Sequence, residues 1–382
     1  MKNLTTKLFA YALTFALLLG ALTGCGASKE TASASAGSPA AADAGSAPQS
    51  VDLDAKENTI YFSLPAGQVR TAFQILAQEL GYYTEEGVKV EFVNASGTDA
   101  LTAISTNQAD IDILGTGIVP AMTFMANGSD LVFFGGTAVE GSSIISAPDK
   151  TEYYRDLTNF EGVTAAMCRN QTSWVEGRSK LVEAGVDIST INIMEVDSQI
   201  NVVQAVAKGE ADVGFLTNET VLSAEGLNFG LVYNIGEIAP NYLCCRQTTS
   251  PTKLKEKHDA FVRFTVANLR AWEFFANEDN RKAVVSVVAK QSGQTEEYID
   301  KYLFGINNVL TLDPNEKGII SFYGHLIDSG ILSESARSLD IADRIDTSIY
   351  EEALKTLLER EPDNTFYQEL LTSYRQYNNT SI

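Results

Sequence analysis

The sequence predicts an α/β protein of two similarly built lobes followed by a helical C-terminal part. Three observations predict it. From residue 58, short apolar runs alternate with amphipathic stretches long enough to be crossover helices, and strands separated in this way pair in parallel sheets. Residues 99–116 and 201–218 align without gaps and share Ala103/Ala205, Ala109/Ala211, Asp110/Asp212 and Leu114/Leu216. In each copy a helix ends, a short polar turn follows, and Ala-Asp opens an apolar strand. Beyond residue 250, helical periodicity dominates.

The elements follow in order. Residues 60–63 read as a short strand. Val69, Ala72, Phe73, Leu76 and Leu80 recur at helical spacing, whereas Val88, Val90 and Phe92 alternate with Lys89 and Glu91 as in a strand. Helix 98–106, strand 111–114, helix 118–127 and strand 131–135 come next. A second set repeats the order: strand 163–167, helix 174–184, strand 191–196, helix 200–208 and strand 212–216. Residues 252–276 read as one long amphipathic helix carrying Leu254, Phe261, Phe264, Leu269 and Trp272. Further helices are expected near 280–292, 295–303 and 314–329, with a helical tail at 349–360 and 366–377.

Composition narrows the function. The 382 residues carry a formal charge of −21, so nucleic-acid phosphates would repel the chain and no nucleic-acid partner is expected. Two histidines, His258 and His325, leave little material for His-based catalysis or zinc ligation. Neither a phosphate-binding G-x-x-x-x-G-K-[ST] loop nor a G-x-G-x-x-G fingerprint occurs.

The N-terminus reads as an export leader. Lys2 and Lys7 precede an apolar run over 8–22 that is too short for a convincing membrane span. It ends Leu22-Thr23-Gly24-Cys25, which resembles the lipobox of bacterial lipoproteins, with cleavage after residue 24 and lipid on the Cys25 thiol. Within 26–50 every residue except Lys29, Glu30, Asp43 and Gln49 is Ala, Ser, Gly, Thr or Pro. Such a stretch buries too little to offset ordering entropy, so 25–56 is expected to be a flexible tether. An extracytoplasmic domain anchored to the cell membrane follows. The Ala/Ser/Gly tether leans toward a Gram-positive surface, with the periplasmic side as the alternative. Cys168, Cys244 and Cys245 remain after cleavage. They read either as small buried hydrophobes or as a bridge from Cys168 to one of the adjacent pair.

Several stretches carry a resemblance. AQELGYYTEEGVKV from Ala77, SGTDAL from Ser96 and QADI from Gln108 are followed by Gly115-Thr116. DLTNFEGV begins at Asp156, KGEAD at Lys208 and DIADRIDTSIYEEAL at Asp340. Together they resemble the solute-binding proteins of bacterial sulfonate, nitrate and taurine ABC importers, a group that includes thiamine-precursor binders. The resemblance spans roughly residues 58 to 355. It implies a type II periplasmic-binding-protein fold: two α/β lobes joined by hinge strands, a ligand cleft between them, and a helical C-terminal cap. Lobe 1 would hold 57–148 and 246–382, lobe 2 would hold 149–245, and the hinge strands would be 143–147 and 241–246. The implied partners are a small-molecule solute, an ABC-importer permease and, through Cys25, a lipid membrane; a monomer is expected.

Physical chemistry points to the same cleft. Ligands of open parallel sheets sit beyond the carboxyl ends of strands, where helix N-termini favour anions. Each turn there is small and polar, which gives a candidate ligand-binding set: Ser63, Gln68, Ser96, Gly97, Thr98, Gly115, Thr116, Thr137, Arg169, Gln171, Thr172, Trp174, Asn218 and Glu219. Ser96 and Thr98 also suit helix caps, and Trp174 also suits packing. Arg169 is the basic residue of these loops, with Arg70 just inside the first helix, and its fork would suit an oxyanion. Glu219 would repel a bare inorganic anion but would suit an ammonium or an exocyclic amine. No catalytic residue, metal ligand or cofactor is expected, although some relatives of this fold are vitamin-precursor enzymes, with Cys168 and Glu219 as the groups such chemistry would use. A tethered sensor is a third reading.

Overall fold

The computed structural model describes residues 51–382 apart from 108, 109, 116, 307 and 381. The leader, Cys25 and the tether up to residue 50 lie outside the described residues.

The first half builds two layers in succession. Strand β1 (Thr59–Ser63) leads through α1 (Ala72–Glu79) and α2 (Tyr82–Glu85) to β2 (Lys89–Val93), then α3 (Gly97–Thr106), β3 (Ile113–Leu114), α4 (Ile118–Ala126) and β4 (Val132–Glu140). β5 (Ser142–Ser146) opens the second layer. It is followed by β6 (Thr164–Met167), α5 (Thr172–Glu183), β7 (Asn192–Glu195), α6 (Gln199–Ala207), β8 (Val213–Thr217), α7 (Asn218–Ser223) and β9 (Gly230–Asn234).

The chain then returns to the first layer. β10 (Leu243–Thr249) is followed by α8 (Pro251–Glu256), α9 (His258–Ala276), α10 (Arg281–Ser292), α11 (Glu296–Asp300), β11 (Asn308–Leu310), α12 (Glu316–Asp328), α13 (Ser348–Arg360) and α14 (Thr365–Tyr377).

The first sheet runs β11-β4-β10-β3-β1-β2 and the second β7-β6-β8-β5-β9. β1 pairs in parallel with β2 and β3, and β6 with β7 and β8, as βαβ connections require. β10 and β5 run antiparallel to their neighbours because each is where the chain enters the other sheet. α1, α9, α10 and α13 cover one face of the first sheet, and α3, α4 and α12 cover the other. α5 and α6 cover opposite faces of the second sheet.

Three expectations need correction. The passage into the second sheet lies between Glu140 and Ser142, not after residue 148: β5 is paired on both sides within the second sheet. The expected helix 252–276 is broken at Lys257, where φ is −120°. The break lets Lys253 and Lys257 both reach Asp112, at 3.1 and 2.7 Å. The segment expected as helix 295–303 is α11 followed by a wider π-type turn over Lys301–Gly305.

Candidate functional site

The carboxyl ends of strands from both sheets face each other across a cavity of about 350 Å³. The first sheet contributes Gln68 and Arg70 ahead of α1, Gly117 and the first turn of α4, and Cys244 and Cys245 of β10. Across from them stand Asn170, Gln171 and Thr172 at the start of α5, and Thr217 and Glu219 where β8 passes into α7.

Arg70 and Glu219 join the two sides. Arg70 Nε donates to Glu219 Oε1 at 2.6 Å, and Nη2 pairs with Oε2. Tyr302, on the π-type turn, accepts from Arg70 Nε at 3.2 Å and donates to Glu219 Oε1 at 3.0 Å. The side chains are 15% and 25% exposed, so water screens this forked pair only partly. Burial pushes the Glu219 carboxyl up, but the Arg70 charge and the hydrogen bonds from Arg70, Tyr302 and Thr217 outweigh it and hold the carboxyl below its ordinary value. Gln68 Oε1 accepts from the Val69 and Arg70 backbone N–H groups, each at 3.0 Å, and so fixes the turn that presents Arg70.

The adjacent cysteines lie under the same guanidinium. Arg70 Nη1 is 3.1 Å from the Cys244 sulfur and 3.5 Å from that of Cys245. No disulfide forms among the described cysteines: Cys168, Cys244 and Cys245 are all free. Two helix N-termini also open on the cavity. α4 begins after Gly117, in the left-handed region at φ 70°, and α5 begins after Gln171; no side chain caps either start. Their uncapped N–H groups make this wall receptive to negative charge.

The candidate residues divide. Gln68, Gln171, Thr172 and Glu219 line the cavity. Asn218 is buried beside it and accepts from Ser143 Oγ at 2.5 Å. Ser63 is buried with its hydroxyl on the Ala95 carbonyl at 3.2 Å. Ser96 is spent as the cap of α3, bonded to the Asp99 N–H at 3.2 Å, with Gly97 and the exposed Thr98 beside it. Gly115 packs where a side chain would strike the Phe62 ring. Thr137 is buried on β4 and its hydroxyl has no partner among the described residues. Thr116 lies outside the described residues.

Two residues turn out to have other tasks. Trp174 packs edge-on against Phe215, 5.2 Å between centroids, in the core between β8 and α5. Arg169 does not grip the cavity: its side chain is 76% exposed and pairs with Glu195 at 2.6 Å. The chain reverses at Asn170 (φ 58°), which sends 170–172 inward and leaves Arg169 outside. The cavity's guanidinium is Arg70, which precedes α1 rather than lying inside it. No signal in the sequence ties Arg70 to Glu219, because the two are brought together only by the meeting of the lobes.

A family model described as NMT1/THI5 like matches residues 68–281. No curated protein matches the sequence as a relative. The fold is shared with the periplasmic nitrate-binding protein NrtA of Synechocystis PCC 6803, at 14% identity and a TM-score of 0.62, over 78% of this chain and 89% of that one. The aliphatic sulphonate binding protein SsuA of Escherichia coli is similar at 15% identity and a TM-score of 0.62, over 75% of this chain and 97% of that one. An enzyme has the same fold: the desulfurization enzyme DSZB, at 13% identity and a TM-score of 0.52, over 78% of this chain and 99% of that one. The structure is thus a type II periplasmic-binding-protein fold, and the chain belongs to the NMT1/THI5-like family.

Proposed function

We propose that this protein is the solute-binding component of an ABC importer, held at the extracytoplasmic face of the cell membrane through Cys25. Its ligand would be a small organic anion that also carries an amine, of the aminosulfonate class. The observation that carries this reading is the Arg70–Glu219 pair spanning the cavity beside two uncapped helix N-termini. The acidic end of such a ligand suits Arg70 and the N-termini of α4 and α5, and its ammonium suits Glu219. A bare inorganic anion such as nitrate would bring no cation for Glu219 and would have to compete with it for Arg70. The two lobes would close over the solute, and the closed form would be recognised by the permease.

Calorimetric titration of the full chain tests the ligand class. Taurine should bind more tightly than ethanesulfonate, which lacks the amine. Glu219→Gln should weaken taurine at least tenfold, about 1.4 kcal/mol, while Arg169→Ala should titrate like the parent. Equal affinity for the two sulfonates would sink the zwitterion reading. A heat from an aminopyrimidine alone would favour a heterocycle, the second reading that Glu219 supports through an exocyclic amine. Turnover of any of these compounds would favour the enzyme reading. For the anchor, palmitate labelling in bacterial cells should mark the parent chain and not Cys25→Ser; labelling of both would remove Cys25 from that role.

A further inference from the structure

Neighbouring residues in an ordinary strand point to opposite faces of the sheet. Cys244 and Cys245 do not. The register of β10 against β4 slips between Leu243 and Cys245 and again between Cys245 and Arg246. Such bulges re-aim side chains, and here both sulfurs line the one cavity, 3.4 Å apart, with Arg70 Nη1 over them. A pair that served only as packing would gain nothing from facing a polar cavity under a guanidinium.

We propose that Cys244 and Cys245 form a redox-active dithiol site on the cavity, which a low-molecular-weight disulfide oxidises to a vicinal disulfide. The chemistry does not depend on the identity of the solute. The two thiols are unequal. The hydrogen bond between the two sulfurs lowers the Cys245 thiol against the opposing effect of burial, and Arg70 and the Gly117 N–H add to the lowering. The same bond, together with burial, pushes Cys244 well up. Cys245 is therefore the thiolate nucleophile.

Its sulfur attacks one sulfur of the incoming disulfide, forming a mixed disulfide and releasing one thiolate. Cys244 then gives up its proton and attacks the Cys245 sulfur, expelling the second thiolate. The protein's thiolate and thiol lose two electrons and one proton between them, and the small disulfide becomes one thiol and one thiolate. Adjacent Cα atoms stand about 3.8 Å apart across a trans peptide, below the usual disulfide span, so the product is readily reduced again. Oxidation also removes one negative charge from beside Arg70.

The test uses the full chain carrying Cys25→Ser and Cys168→Ser, so that only the adjacent pair can react. Exposure to oxidised glutathione, read by intact mass, should remove two hydrogens and leave no glutathione attached. The product should resist iodoacetamide and recover its thiols in dithiothreitol. Adding Cys244→Ser should instead leave one glutathione on Cys245. Arg70→Gln should slow closure about tenfold and move its pH midpoint upward, because the thiolate loses its counter-charge. Glutathione retained on the intact pair, no change of mass, or a rate indifferent to Arg70→Gln would overturn the proposal.

Discussion

Asp112 shows what one buried side chain can commit the fold to. Its carboxylate is 2% exposed, accepts from Lys253 and Lys257, and also takes the Tyr61 backbone N–H at 2.9 Å. Buried charge is costly unless fully paired. Asp112→Ala would leave two ammonium groups without their anion, and urea denaturation should register a loss of about 3–5 kcal/mol; a loss under about 1 kcal/mol would show that water or another group replaces the carboxylate. Arg70 and Glu219 follow the same logic with a different result. Their pair stays partly open to the cavity, so it is available to exchange partners with a ligand. Arg169 and Glu195 lie in water, where an exposed ion pair contributes about 0–1 kcal/mol, so their pairing carries little weight in fold or site.

Among the elements, two irregularities place groups at the cavity. The π-type turn after α11 places Tyr302 between Arg70 and Glu219, an arrangement in keeping with the frequent appearance of π geometry at functional sites. The bulge in β10 turns two thiols toward one side. Beside it, β4 is buried along almost its whole length, and a side chain at Gly136 would collide with the carbonyls of Thr311 and Asp313. That close approach holds the segment after β11 against the central strands. The break at Lys257 is of the same kind, a local departure from helical geometry that lets two lysines converge on one acid.

For the whole molecule, the contacts between lobes decide how the cavity opens. Besides Arg70–Glu219, Lys301 pairs with Glu225 at 3.1 Å, and His325 of α12 faces Glu176 of α5 at 3.3 Å. The Glu176 hydrogen bond raises the His325 imidazole above its ordinary 6.5; burial and Lys180 oppose the rise and Asp328 assists it. A raised folded value stabilises the protonated form. The contribution is therefore complete below about pH 6.5 and disappears as pH rises through the raised value. The melting temperature of the parent relative to His325→Gln should be higher at pH 6 than at pH 8.5; a difference that does not change with pH would show that the pair does not link the lobes electrostatically. Among the described residues no helix is long and apolar enough to cross a membrane.

The sequence by itself determined the order of β1 to β4 and of β6 to β8 with their crossover helices, the parallel pairing of β1 with β2 and β3 and of β6 with β7 and β8, and the repeated construction of the two lobes, but not the strands β9 and β11 or the antiparallel pairing of β4 with β10. Those features rest on short-range periodicity, and the repeat at 99–116 and 201–218 marks the same helix–turn–strand unit in both layers. It also marked Gln68, Gln171, Thr172 and Glu219, because turns at the carboxyl ends of parallel strands face a cleft whatever the ligand. Only the tertiary structure decided which charges meet there. Arg70 and Glu219 are 149 residues apart, one ahead of α1 and the other in α7, so no local pattern links them. The bulge that brings Cys244 and Cys245 to one side depends on how β10 registers against β4, a strand more than a hundred residues earlier. The direction of Arg169 turned on one left-handed residue, Asn170, a conformation that asparagine tolerates but does not announce.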